Sequence, residues 1–152
     1  MAKIEVYKSC DDDWNIAKPP AGKTESQGAS RTRHAGGGAE VPQMLEVRAN
    51  AGQAVGVHAH ETGEIFYIVK GEMIFGQHSL KPGDSIYIPG MMLYSFKAGP
   101  EGVQFLNLRP RVDLTHFWPD DIKAIDALPA SDKPAFIVDN VEKAKRYYGM
   151  ID

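Results

Sequence analysis

From Met44 onward, short stretches rich in alternating apolar and polar residues are separated by residues that favour turns. One break, Lys81-Pro82-Gly83-Asp84, has proline and glycine where a type II turn requires them. This pattern is typical of antiparallel strands, so the chain is predicted to form a β-sandwich or barrel. The predicted strands cover residues 44–49, 54–60, 64–70, 73–75, 85–88, 93–97 and 103–108.

The N-terminal part lacks this regular series. Residues 3–7 alternate between polar and apolar side chains and predict an edge strand. Residues 8–40 carry Pro19-Pro20 and Gly36-Gly37-Gly38 and show little periodicity. A long irregular segment of this kind is usually functional, an arm over a partner subunit, or disordered.

Two surface helices are predicted after the strand series. Residues 119–125 have acidic side chains in the first turn, and residues 139–148 have basic side chains near their end, followed by Gly149. The chain is therefore interpreted as one domain with three parts. These are an N-terminal strand with a long irregular arm, a barrel core and a C-terminal helical extension, over residues 1–43, 44–109 and 110–152.

Composition limits the classes of partner, the types of cysteine site and the cellular location that are expected. The 152 residues carry a net charge of -3, which argues against nucleic acid or an anionic membrane as the main partner. Cys10 is the single cysteine, so neither an intrachain disulfide nor a thiolate zinc cluster is available. The first residues lack a signal-peptide core, and no apolar run reaches transmembrane length, so the cytoplasm is the expected location.

The candidate chemistry is concentrated in residues 52–71. His58 and His60 are two apart, so on a strand their side chains point to the same face. The segment Glu61-Thr62-Gly63 predicts a turn, and a hairpin folded there would bring Glu64 beside the two imidazoles. Two neutral nitrogens and one carboxylate suit iron(II) and similar divalent metals.

The same stretch resembles the first motif of the cupin superfamily. Gly52, five residues, His58-x-His60, three residues, Glu64, six residues and Gly71 have the spacing of that motif. The resemblance implies a small single-domain cupin, an all-β double-stranded β-helix or jelly-roll barrel that carries the predicted C-terminal helices.

The resemblance also implies ligands and partners. One divalent metal ion per chain is expected, with iron(II) as first choice and zinc, manganese or nickel as alternatives. A small-molecule substrate is expected too. Small cupins often pair, so a homodimer is implied, and residues 3–7 are a plausible strand for exchange between subunits.

The second cupin motif is matched only in part. Gly83, followed after five residues by Pro89, agrees with it. The position of the family's glycine holds Met91, that of its metal-binding histidine holds Tyr94, and that of its asparagine holds Ala98. The change to Tyr94 leaves the set of metal ligands open.

Three roles for Tyr94 are compatible with the sequence. A metal ion can lower the pKa of a phenol, so Tyr94 could complete a set of His58, His60, Glu64 and Tyr94 as the phenolate. In the second case His58, His60 and Glu64 bind the metal alone and leave positions open for substrate and oxygen. In the third the metal has been lost, and Tyr94 hydrogen-bonds a ligand.

Other polar residues are weaker candidates. Arg48 and Arg109 lie on strands that flank the motif, and either could bind a substrate carboxylate, although both also fit ordinary surface arginines. Tyr67 is expected to line the cavity or to fill the core, and is a further candidate for substrate binding.

The remaining histidines are expected to be solvent-exposed. His34, His78 and His116 lie in predicted loops. His116 could replace the missing ligand only if the C-terminal segment folded over the open end of the barrel.

Three functions follow from these observations, because cupins host many chemistries. The first is a mononuclear non-haem iron dioxygenase acting on a small oxygenated organic substrate. The second is a non-redox isomerase, lyase or hydratase with the metal as Lewis acid, for which Tyr94 and Glu64 are the candidate catalytic residues. The third is a cupin that binds a small ligand without catalysis.

Overall fold

The computed structural model describes residues 4–8, 13–16, 28–34 and 41–152. Within these ranges the chain forms eight strands followed by two helices. The strands are β1 (Asn15–Ile16), β2 (Gly28–His34), β3 (Gln43–Ala49), β4 (Ala54–His58), β5 (Glu64–Phe75), β6 (His78–Leu80), β7 (Ser85–Ile88) and β8 (Tyr94–Arg109). The helices are α1 (Pro119–Asp126) and α2 (Lys133–Tyr147).

The strands form one antiparallel sheet with β8 at its centre. The path through the sheet is β1-β2-β3-β8-β5-β6, with β4 also paired to β8 and β7 to β5. The first half of β8 pairs with β4, its second half pairs with β3, and β5 pairs with residues in both halves. The predicted antiparallel all-β architecture with C-terminal helices is confirmed.

The core follows from the alternation along β5 and β8. Phe66 and Ile68 of β5, and Phe96 and Phe105 of β8, are buried, while the residues directly before and after each of them are more exposed. Side chains from one face of each strand therefore meet in the interior, as the period of two requires.

A second apolar cluster joins the helices to the barrel. Ala59, Phe117 and Ile125 are its buried members, and Phe136 and Ile137 pack against them. Helix α1 begins after Trp118, whose backbone N–H donates to the carboxylate of Asp121 in the first turn. The helices cover the end of the barrel from which the motif histidines project.

The predicted hairpin between residues 54–60 and 64–70 is wrong. Strand β4 pairs with β8, and β5 pairs with β6, β7 and β8. The turn that follows His60 therefore connects strands that lie apart in the sheet. The alternation of apolar and polar residues along a strand predicts which face is buried, but not which other strand is its partner in the sheet.

Two predicted breaks are continuous strands. Residues 64–70 and 73–75 are joined in β5, because the position of Gly71 is a register shift in the ladder rather than a turn. Gly71 has a φ of +77°, and a Cβ there would lie 2.1 Å from the carbonyl oxygen of Gly102. Residues 93–97 and 103–108 are likewise joined in β8.

The N-terminal predictions are partly wrong. Strand β2 lies inside the segment predicted to be irregular. Residues 4–7 form no strand within this chain, and Ile4 and Val6 are exposed. Exchange of that segment between subunits stays a prediction. Cys10, Pro19-Pro20 and Gly36-Gly37-Gly38 lie outside the described residues.

The helices agree better with their predictions. Helix α1 matches its predicted range to within one residue, whereas α2 begins six residues earlier than predicted, at Lys133. The first turn of α2 contains Pro134. Proline is tolerated there because the backbone N–H that it lacks would have no partner within the helix. None of the helices in the described ranges is long and apolar enough to cross a membrane.

Candidate metal centre

His58, His60 and His116 come together inside the protein. All three are buried, and their ligand nitrogens lie within 4.8 Å of one another. The ring of His58 stacks on that of His116, with centroids 4.5 Å apart and an interplanar angle of 6°. Among the described residues, these three histidines are the one set of three or more histidine, cysteine or acidic side chains whose ligand atoms lie close enough together to bind one metal ion. Three imidazoles so placed can bind one metal ion.

A short backbone bridge explains how the three histidines meet. Ala59 and Phe117 exchange two hydrogen bonds, each 2.9 Å long, as an isolated antiparallel pair. Their own side chains are fully buried in the apolar cluster. Since neighbouring side chains on extended backbone point to opposite faces, His58, His60 and His116 share the other face.

Two backbone carbonyls orient the motif histidines. Nδ1 of His58 lies 2.7 Å from the carbonyl oxygen of Gly56, and Nδ1 of His60 lies 2.5 Å from that of Thr115. A carbonyl only accepts, so the proton of each neutral ring is on Nδ1. The Nε2 lone pair of each ring is thereby available for a metal ion.

The third imidazole is held by α2. Nδ1 of His116 lies 2.7 Å from the hydroxyl oxygen of Tyr148, which follows the last residue of the helix. The backbone N–H and C=O of His116 are both bonded by the side chain of Asn140. His116 was expected to be exposed; it is buried, because the C-terminal segment folds over the barrel end.

Burial keeps the three imidazoles neutral. Desolvation lowers the pKa of His58 below its usual value and that of His60 well below it, with a further contribution to His60 from the positive charge of Arg109. Desolvation, together with the two neighbouring histidines, lowers the pKa of His116 to about 2. Neutral imidazole is the form that binds metals, so the donor set fits a divalent ion.

These pKa shifts predict how the metal-free protein responds to acid. Below about pH 6.5 the unfolded chain takes up protons on these histidines and the folded chain does not, so its unfolding free energy should fall as the pH falls. Each histidine that stays neutral contributes up to about 1.4 kcal/mol per pH unit. Urea unfolding in chelator across this range measures the slope.

The control for this prediction is His116→Gln, which should remove one histidine's share of the slope. An unfolding free energy that does not change between about pH 7 and pH 5 would contradict the burial of these groups as neutral imidazoles.

Glu64 lies outside the histidine group and is held by other side chains. It is 2% exposed, and Oε1 accepts a hydrogen bond of 2.6 Å from the hydroxyl of Tyr94. Oε2 accepts bonds from Asn107 Nδ2 at 2.8 Å and from Arg109 Nε at 3.2 Å. Metal ligation by Glu64 and Tyr94 stays a prediction.

Tyr94 is nevertheless next to the histidines. Its ring centroid lies 4.5 Å from that of His58, and His58 pairs with Tyr94 across β4 and β8. Burial and the negative charge of Glu64 raise the pKa of Tyr94 well above its usual value. The phenol therefore keeps its proton, which it donates to Glu64.

Asp113 ties the motif turn to the segment that carries His116. Its Oδ2 accepts bonds from the backbone N–H and the hydroxyl of Thr62, and its Oδ1 accepts bonds from those of Thr115. Burial alone would raise the pKa of Asp113, but these bonds and the charge of Arg109 hold it below its usual value. The carboxylate thus fixes both sides of the Ala59–Phe117 bridge.

Comparison with known families agrees with this architecture. A family model described as a cupin domain matches residues 45–108. These residues are a cupin domain. His58 and His60 lie inside the cupin domain, whereas His116 lies beyond it. No curated protein sequence matches the chain.

Solved structures show the same fold at low identity. KdgF from Halomonas sp. is 20% identical over 70% of this chain and 94% of that one, with a TM-score of 0.56. The polyketide cyclase RemF from Streptomyces resistomycificus is 18% identical over 88% and 99%, with a TM-score of 0.60. A cupin-2 domain protein from Rhodospirillum rubrum is 17% identical over 93% and 97%, with a TM-score of 0.59. The predicted jelly-roll barrel is confirmed.

The three weaker candidates for substrate binding lie in different environments. Arg109 is buried and bonded to Glu64, so it is not a surface arginine. Arg48 is exposed on β3, with its guanidinium 4.1 Å from the ring centroid of Trp14. Tyr67 is 43% exposed on the outer face of β5, so it neither lines the interior nor fills the core.

The other two histidines are apart from the centre. His78 is exposed at the start of β6, as predicted, whereas His34 is half-buried at the end of β2. Neither belongs to the histidine group, so either can serve as a control for metal binding.

Sequence reasoning missed the residues that hold the site. Asn107 is two residues after the apolar Phe105 and therefore on the same, inward face of β8, which was a usable signal for a buried polar partner. Asn140 gave a similar signal, since it lies on the buried face of α2. The remaining partners, Asp113, Thr115 and Tyr148, are recognisable only from contacts distant in sequence.

Proposed function

We propose that this chain is a metal-dependent enzyme that moves a proton on a small oxygenated organic substrate without redox chemistry. The observation that carries the proposal is the hydrogen bond of 2.6 Å between Tyr94 and Glu64, buried beside three imidazoles. A divalent ion bound by His58, His60 and His116 would supply a Lewis acid for a substrate oxygen.

The donor set supports this choice. Three neutral imidazoles leave the full charge of a divalent ion uncompensated by the protein, which favours polarisation of a carbonyl or carboxylate oxygen. Both oxygens of the Glu64 carboxylate accept hydrogen bonds from side chains, one of them from Tyr94, so Glu64 is directed at the phenol rather than at the ion.

Tyr94 and Glu64 form a proton relay in this proposal. The phenol donates its proton to Glu64, so the lone pairs of its oxygen are free to accept a proton from the substrate. As that proton arrives, the proton of Tyr94 passes to Glu64; the reverse transfer returns it to a different substrate atom. The hydrogen bonds from Asn107 and Arg109 hold the carboxylate of Glu64 within hydrogen-bond distance of the phenol. The reactions that fit are isomerisation, elimination and hydration next to a carbonyl.

Deuterium exchange tests the proposal without knowledge of the natural substrate. Zinc-loaded protein should catalyse exchange of carbon-bound hydrogen in some members of a panel of enolisable carbonyl compounds in D2O, followed by NMR. Tyr94→Phe should reduce that exchange by about 100-fold or more, since positioned acid–base groups contribute that much. The matched control is Tyr87→Phe, because Tyr87 is exposed on β7.

Exchange that Tyr94→Phe leaves unchanged would refute the relay. Protein that binds metal but exchanges no compound and consumes no oxygen would indicate the third function, a cupin that binds a ligand without catalysis.

A mononuclear iron dioxygenase is the second candidate. It is favoured by the number of protein donors, because three imidazoles leave coordination positions of an iron ion free for substrate and oxygen. Oxygen uptake that requires ferrous iron, and that zinc does not support, would favour this candidate over the first.

The homodimer also stays a proposal. Support comes from an apolar outer face of the sheet, where Ile65, Tyr67, Val69 and Tyr87 are exposed beside a groove of about 420 Å³. Faces of this kind often mark contacts between proteins. A monomeric mass in solution would refute it.

A further inference from the structure

The third histidine of the centre depends on a helix outside the cupin domain. His116 follows the last strand, and the side chains that hold it come from α2 and from the residue directly after it, 24 and 32 residues later in the chain. By contrast, the Nδ1 atoms of His58 and His60 are held by backbone carbonyls of extended segments.

Asn140 makes two hydrogen bonds to the main chain of His116. Its Oδ1 accepts from the backbone N–H at 2.9 Å, and its Nδ2 donates to the carbonyl oxygen at 2.8 Å. Asn140 is 3% exposed, and a buried amide without partners would be costly. The pair of bonds therefore fixes the position of His116 relative to α2.

The face of α2 that meets His116 is continuous. Asn140, Ala144 and Tyr148 are spaced four residues apart, so they lie on one side of the helix. Ala144 is fully buried, and its small side chain allows the helix to pack closely. At the end of this face the Tyr148 hydroxyl reaches Nδ1 of His116 at 2.7 Å.

A hydrogen bond on Nδ1 sets which nitrogen of a histidine carries the proton and how the ring is oriented. Loss of the Tyr148 hydroxyl would leave the ring of His116 without that partner. Loss of the Asn140 amide would release the backbone that carries the ring. The two residues thus act on the same imidazole at two different points.

We propose that α2 completes the metal centre, with Asn140 and Tyr148 as positioning residues for His116, so that metal binding and docking of α2 are coupled. This inference rests on the proposed three-histidine site. Coupling is reciprocal: if docking of the helix strengthens metal binding, then a bound metal strengthens docking by the same factor.

Cobalt(II) titration of the full-length protein tests the positioning roles, with the visible spectrum of the ion as a readout of its ligand geometry. Tyr148→Phe should weaken cobalt binding by about 10-fold or more and change the spectrum, since outer partners of metal-bound histidines contribute about 10- to 100-fold. The matched control is Tyr147→Phe, because Tyr147 is half-exposed and only its ring contacts His116. Asn140→Ala should weaken binding by a similar or larger factor.

Hydrogen exchange measured by mass spectrometry tests the coupling. Cobalt should slow amide exchange in residues 133–147 of the wild-type protein, and this protection should be smaller in Tyr148→Phe. Because Tyr148→Phe removes one hydroxyl and no packing atom, it tests the inference even if Asn140→Ala does not fold.

The outcomes separate this inference from the proposed function. Wild-type protein that does not bind cobalt, or a His58→Ala variant that binds it as well as wild type, would refute the three-histidine site itself. If wild type binds and His58→Ala does not, unchanged cobalt affinity and spectrum in both Tyr148→Phe and Asn140→Ala would overturn the positioning roles. Equal exchange of α2 with and without cobalt would overturn the coupling.

Discussion

His116→Ala should abolish tight metal binding while the barrel remains folded. Removing one of three nitrogen donors should weaken cobalt or zinc binding by more than the roughly 10- to 100-fold that is lost with an outer partner. The barrel should survive because the apolar cluster around Ala59 and Phe117 does not depend on the imidazole. Equilibrium titration measures the affinity, and circular dichroism verifies the fold.

His78→Ala is the matched control, since His78 is exposed and lies apart from the centre. The experiment also separates the two ligand sets. If Glu64 and Tyr94 complete the site with His58 and His60, then Glu64→Gln and Tyr94→Phe should lose the metal, and His116→Ala should keep it. That outcome would contradict the three-histidine centre.

Glu64→Ala should produce the largest loss of stability, about 3–5 kcal/mol, because removal of one partner leaves a buried charge uncompensated. Arg109 is 7% exposed, and its Nε lies 3.2 Å from Oε2 of Glu64. Tyr94→Phe should cost less, about 1–2 kcal/mol, since Glu64 then keeps two of its three donors. Urea unfolding of the metal-free protein at neutral pH measures both values.

Two further variants make this prediction specific. Glu72→Ala serves as the control, because Glu72 accepts a bond from Ser79 at an exposed site and should change stability by under about 1 kcal/mol. The double variant Glu64→Ala with Arg109→Met should recover part of the loss, since it removes the uncompensated charge as well. A loss of under about 1 kcal/mol in Glu64→Ala would show that the ion pair is not held in the buried form described here.

The sequence predicted local structure well where alternation or turn chemistry is strong. The strand pattern over residues 64–70 identified the first part of β5, and the acidic first turn of α1 identified its start. These signals depend on neighbours within a few residues. The breaks expected near Gly71 and between residues 97 and 103 were wrong, because glycine can also accommodate a bulge in a continuous strand.

Only the part of the site that depends on residues close together in sequence was predicted. The spacing of His58 and His60 places them on one face of any extended segment, and the structure does so. The partner of β4 is not encoded locally, and the expected hairpin with β5 was therefore wrong. His116 was expected in an exposed loop because nothing in its neighbourhood indicates the bridge that buries it.

The sequence by itself determined an all-β chain with cupin motif spacing, two histidines on one face and two C-terminal helices, because each of these depends on residues close together in the chain. Only the tertiary structure decided that His116 is the third imidazole and that Glu64 is bonded to Tyr94, Asn107 and Arg109. Those contacts join residues 30 or more positions apart, and they form only when strands and helices far apart in sequence pack together.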